Sequence, residues 1–146
     1  MISESIEIAR RPEDVFAYLD QFERHGEWQE LLTESRLETD GPPRVGSRVA
    51  QARKTPTGSQ KMAFELTEHD PPRRAAWRGV EGPIRPAGSI TVEPIADGSR
   101  SRVTLELDLQ GHGFGKILAP LVRRQAAKEV PKAQAKLKER LESGAA

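Results

Sequence analysis

Hydrophobic positions change period along this chain. Alternate residues are apolar through most of Leu31 to Gln110, and every third or fourth residue is apolar from Gly113 onward. In the second region Phe114, Ile117, Leu118, Leu121, Val122, Ala126, Val130, Ala133, Leu137 and Leu141 make one stripe, which predicts a single helix from Gly113 to Ser143. At 1.5 Å per residue such a helix is roughly 45 Å long, enough to cross a small domain. From Leu118 onward the steps average longer than a helical turn, so the stripe slides and the two halves of the helix face different surroundings. Pro131 is the expected bend between them, because proline lacks a backbone donor and crowds the preceding turn. Ser143-Gly144 supplies a stop.

Ahead of the helix, Ile2 to Ala9 alternates Ile6 and Ile8 with Ser5 and Glu7, as a half-buried strand does. Arg11-Pro12-Glu13-Asp14 then places proline and two acids where a helix begins, and Val15, Phe16 and Leu19 form its apolar face. Asp20 to Glu30 reads as a second short helix or turn, with Phe22, Trp28 and Leu31 inward and a break at Gly26. Six strands follow: Leu32 to Glu38, Ser47 to Lys54, Gln60 to His69, Arg74 to Val80, Gly88 to Ile95 and Ser101 to Gln110. Turn signals separate them, among them Gly41-Pro42-Pro43, Thr55-Pro56-Thr57-Gly58, Asp70-Pro71-Pro72 and Asp97-Gly98. Consecutive strands joined by short turns predict an antiparallel meander. Its apolar face needs a cover, and the long helix is the one element large enough. The class is α+β.

Composition narrows this picture. A chain of 146 residues is expected to form one domain over 1–146. Its 23 basic and 22 acidic residues offer no overall attraction to nucleic acid. The charge is uneven, however: Lys116, Arg123, Arg124, Lys128, Lys132, Lys136, Lys138 and Arg140 face only Glu129, Glu139 and Glu142 in the final helix. A basic amphipathic helix can lie on an anionic membrane, although a solvated outer face is the plainer reading. Cysteine is absent, which excludes disulfides and thiolate chemistry. Met1-Ile2-Ser3-Glu4 does not begin a signal peptide, and no apolar run reaches membrane-spanning length. A cytoplasmic location is expected.

The order strand, two short helices, six strands, long helix resembles the helix-grip fold of the SRPBCC or START-like superfamily. The local marks are Ile6-Glu7-Ile8, the run from Arg11 through Pro12, Glu13, Asp14, Val15, Phe16, Ala17, Tyr18 and Leu19 to Asp20, and Trp28 within Glu27-Trp28-Gln29. The resemblance is strongest to the polyketide cyclase/dehydrase and lipid transport family. Members often carry proline beside this tryptophan, where the present chain has Gly26 and Glu30. What the resemblance implies is a curved seven-stranded antiparallel sheet wrapped on the long C-terminal helix, with two short helices between strands 1 and 2. It also implies a cavity between sheet and helix for a lipid, polyketide or other apolar molecule. On that reading Trp28, Met62, Phe64, Trp77, Ile90, Leu105, Leu107, Phe114, Leu118 and Val122 are the expected wall. The glycine-rich link Gly111 to Gly115 sits at the mouth in the related fold, with Phe114 either gating it or packing as the first knob of the helix.

Few residues look chemical. His25, His69 and His112 are far apart, and none shares a metal-ligand spacing. Each is expected at the surface, becoming an acid or base only if the fold brings it to the cavity. Trp77 and Arg78 must face opposite sides of one strand, with Trp77 expected inward and Arg78 in solvent. No phosphate loop, nucleophile motif or paired carboxylates occur, so neither a cofactor nor a metal is expected. Three functions stay open: a carrier for an apolar small molecule, a polyketide cyclase, aromatase or dehydratase, and an interaction module using the basic helix.

Overall fold

The computed structural model describes residues 1–55 and 58–144. Strand β1 (Ile2–Ile8) leads into helix α1 (Pro12–Leu19) and a 3-10 helix (Phe22–Glu27). The meander follows as β2 (Leu32–Leu37), β3 (Arg48–Thr55), β4 (Gly58–Asp70), β5 (Arg74–Glu81), β6 (Ile84–Ile95) and β7 (Arg100–Gly111). Helix α2 (Gly115–Glu142) closes the chain. The strands form one antiparallel sheet in the order β1-β7-β6-β5-β4-β3-β2, curled into a half-barrel against α2. Pro56 and Thr57, expected in the turn between β3 and β4, lie outside the described residues. No described helix is long and apolar enough to cross a membrane.

Alternation accounts for the sheet. In β4, Met62, Phe64 and Leu66 are buried while Lys61 and Thr67 are exposed. Register shifts between Leu32 and Glu34, Ala63 and Phe64, and Leu66 and Glu68 mark bulges or irregularities, the devices that add twist and curl to a sheet. Strand β6 starts at Ile84, four residues before the expected Gly88. Pro86 and Gly88 read as breakers, yet Pro86 lies just beyond the last β5–β6 pair, Arg78 with Ala87, where its missing N–H costs little pairing. A side chain at Gly88 would strike the Glu106 carbonyl oxygen at 2.1 Å, so glycine lets β6 and β7 close up.

The two ends of α2 are anchored differently. Toward its C-terminus, Leu137 and Leu141 join Ile8, Val15, Phe16, Tyr18 and Val103 in the largest apolar cluster. Polar ties add to this: Lys138 Nζ donates to the Glu7 carbonyl at 2.7 Å, and Arg10 Nη1 to the Leu141 carbonyl at 2.7 Å, a favourable place for a cation at a helix end. Toward its N-terminus, Ala119 and Val122 meet Ile84 and Leu109. The helix runs uninterrupted through Pro120 and Pro131.

The expected stripe needs correction in its first turns. Phe114, Ile117 and Leu121 are 69%, 79% and 45% exposed, while Gly115 and Ala119 take the inward positions. The reason is distance. A Cβ on Gly115 would lie 2.0 Å from the Pro83 carbonyl oxygen, so the helix backbone presses on the β5–β6 connection and leaves no room there for a large side chain. The link from Gly111 is likewise tied down, the His112 amide donating to Pro83 O at 2.8 Å.

Candidate functional site

Between these two anchors the sheet and α2 enclose a cavity of about 660 Å³, beside which Gln134 Nε2 donates to the Glu4 carbonyl of β1 at 3.4 Å. The volume lies within the range of small-molecule sites. Met62, Phe64, Leu66, Trp77, Ile90, Leu105, Leu107 and Leu109 form its sheet side, and Val122, Ala126, Val130 and Ala133 its helix side. The strand period explains the sheet side, since Leu105, Leu107 and Leu109 share one face of β7. Leu105 and Leu107 are only half-buried because they border this space. Exposed Glu30, Lys54, Lys132 and Lys136 complete the boundary and mark the side on which it meets solvent. The mouth therefore lies beside the middle of α2, away from the link at Gly111 to Gly115.

Aromatic rings run along the wall. Trp28 and His25 have centroids 5.1 Å apart, His25 and Phe22 4.9 Å, Phe22 and Phe64 6.3 Å, and Phe64 and Trp77 6.2 Å. Such tilted and edge contacts fix ring orientation beyond what area burial does. The 3-10 helix supplies Phe22 and His25, and its following residue is Trp28.

His25 is 8% exposed, contrary to the expected surface position. Its Nε2 donates to the Leu19 carbonyl at 2.7 Å, a contact that assigns the proton of the neutral ring to that nitrogen. Burial pushes its pKa down to about 4, so it is uncharged at neutral pH. His69 is also drawn from the surface. Its Nε2 meets the Asp20 carboxylate at 2.9 Å and 3.0 Å, and Asp20 borders the cavity. Burial raises the Asp20 pKa, opposed by the His69 contact. His112 is exposed as expected. Tyr18 is buried, its hydroxyl donating to Glu27 Oε1 at 2.8 Å.

Part of the polar wall comes from β3 and the loop before β2. Val49, Gln51 and Arg53 share a strand face, and Gln51 and Arg53 border the cavity with Gln29. Arg53 Nη2 donates to Gln29 Oε1 at 2.7 Å and to Gln51 Oε1 at 3.0 Å. Its side chain keeps some accessible surface, while desolvation pushes its pKa down to about 10.

Of the residues expected from sequence, Trp28, Met62, Phe64, Trp77, Ile90, Leu105, Leu107 and Val122 border the cavity. Leu118 packs instead against the Ile84 and Leu109 cluster. Phe114 points to solvent, because Gly115 takes the close approach beside it. Arg78 is exposed opposite Trp77. Gln51 and Arg53 were not anticipated, although polar residues in phase with an inward Val49 were a readable signal.

Comparison with known proteins agrees with this geometry. The family model for polyketide cyclase / dehydrase and lipid transport matches residues 1–142. A protein from Thermus thermophilus superposes with a TM-score of 0.81 at 19% identity, over 99% of both chains. A START superfamily protein from Mycobacterium smegmatis gives 0.79 at 13% identity, over 97% of both chains. The Zhui aromatase/cyclase from a Streptomyces species gives 0.73 at 14% identity, over 96% of this chain and 94% of that one. At these identities the likeness is one of fold. No curated protein sequence matches the chain.

Proposed function

The chain belongs to the polyketide cyclase / dehydrase and lipid transport family, and on that basis we propose that it is a carrier enclosing an apolar small molecule between sheet and C-terminal helix. One observation carries this reading: a cavity of about 660 Å³ whose wall is mostly aliphatic and aromatic. An apolar molecule gains about 25 cal/mol for each Å² it removes from water, and a preformed wall of packed rings adds little ordering cost. Trp28, Met62, Phe64, Trp77, Ile90, Leu105, Leu107 and Val122 are the proposed contacts.

A second reading has one observation in its favour. Asp20 sits at the cavity with His69 bound to it, a carboxylate and imidazole that could move a proton in a cyclisation or dehydration.

Native mass spectrometry of freshly purified protein tests the first and separates it from the second. A reproducible added mass that is released unchanged supports the carrier, whereas release of a species lighter by the elements of water supports the enzyme. Ala126→Phe places a ring into the helix side of the cavity. The expected result is a folded protein with clearly lower ligand occupancy; undiminished occupancy in that folded variant counts against ligand binding in this cavity.

A further inference from the structure

The charge inside the cavity is unevenly placed. Most of the wall is hydrocarbon, and the cation set within it is the half-buried Arg53 on β3, whose guanidinium is partly desolvated. Its neighbours in the strand face are Val49, wholly buried, and Gln51, 6% exposed. Several arginines near the surface have acids beside them, Arg24 meeting Glu27 at 2.9 Å, Arg74 meeting Glu68 at 2.8 Å and Arg140 meeting Glu27 at 3.1 Å, whereas Arg44, Arg85 and Arg123 donate to backbone carbonyls. Arg53 pairs with no carboxylate among the described residues. Its hydrogen-bond acceptors are the neutral amide oxygens of Gln29 and Gln51, and both are taken by Nη2.

Removing a guanidinium from water without a counter-charge is costly, and two amides offset only part of that cost. A guanidinium has five N–H donors, so Nε and Nη1 remain for whatever enters the cavity. Nearby His25 adds no positive charge, because it is neutral at pH 7. Lys54, Lys132 and Lys136 stand exposed and solvated at the rim, so the guanidinium within the apolar wall is that of Arg53, which suits one carboxylate on an apolar body.

We propose that the cavity accepts an apolar monocarboxylic acid, with its carboxylate against the guanidinium of Arg53 and its body over Met62, Phe64, Trp77 and Leu107. This inference rests on the cavity being a ligand site and adds the chemical class of the ligand. Gln29 and Gln51 are positioning residues: they hold Nη2 and thereby orient the remaining donors toward the cavity.

Isothermal titration calorimetry at pH 7 tests it with two pairs of probes, decanoate against decanol and naphthoate against naphthol. Charge-assisted hydrogen bonds are the stronger kind, so the intact protein is expected to prefer the acid of at least one pair by about tenfold or more. The pair that shows the preference distinguishes a fatty from an aromatic acid. Arg53→Met should abolish the preference, so that acid and alcohol bind with equal affinity. If that variant does not fold, Arg53→Gln removes the charge while keeping a polar group near Gln29 and Gln51. Equal affinity for acid and alcohol in both pairs, or an acid preference that survives loss of Arg53, overturns the assignment of Arg53 while leaving the cavity as a binding site. No binding of any of the four probes overturns that site and this inference together.

Discussion

The two halves of helix α2 reach the same sheet by opposite means. The C-terminal half uses bulk: Leu137 and Leu141 are almost wholly buried among side chains from β1, α1 and β7. The N-terminal half uses the lack of it, bringing Gly115 against Pro83 and Ala119 against Ile84 and Leu109. Between a contact made by large side chains and one made by backbone, the wall residues Val122, Ala126 and Ala133 are too small to fill the gap. The two end contacts therefore set the spacing that the cavity occupies. The same difference explains why Phe114, Ile117 and Leu121 face solvent. With glycine and alanine inward, the large residues at neighbouring helical positions are turned away.

Either end can be attacked separately. Leu137→Ala should have the largest effect, costing about 2–5 kcal/mol by lost burial and the void left behind, read as a lower urea midpoint with unchanged slope. Gly115→Ala should cost about 1–3 kcal/mol by overpacking, because its methyl would meet a carbonyl oxygen fixed in the backbone. A neutral Gly115→Ala would mean that the N-terminal contact is loose and the two ends alike. Ile117→Ser is the smallest of the three: an exposed side chain should change stability by less than about 0.5 kcal/mol. A loss near that of Leu137→Ala would place Ile117 in the core and restore the single apolar stripe.

Much of the fold was legible in residue order. The seven strands and α1 followed from alternation and turn residues, which are local properties. The start of β6 was not, since Pro86 and Gly88 are breakers by local rule: Pro86 is accommodated because β5 has ceased to pair there, and Gly88 because β7 approaches too closely for a side chain. The site was legible in part for the same reason. Inward residues of β4 and β7 follow from period two once a cavity is expected on that face. Arg53 and Gln51 obey the same period, but whether a polar pair on an apolar face meets water, an acid or an empty space depends on the loop carrying Gln29. His25 shows the limit plainly: a polar residue among Arg24, Gly26 and Glu27 looks like surface, and only the packing of the 3-10 helix on Phe22 and Trp28 buries it.

Residue order alone settled the elements, their succession and the antiparallel meander, because backbone period and turn chemistry act over a few residues. Folding in three dimensions settled which side of α2 is inward at each end, where the cavity opens, and that Arg53 stands in it without an acid among the described residues. Those outcomes depend on distances between segments far apart in the chain, such as the approach of Gly115 to Pro83 and of Arg53 to Gln29. No local pattern encodes them.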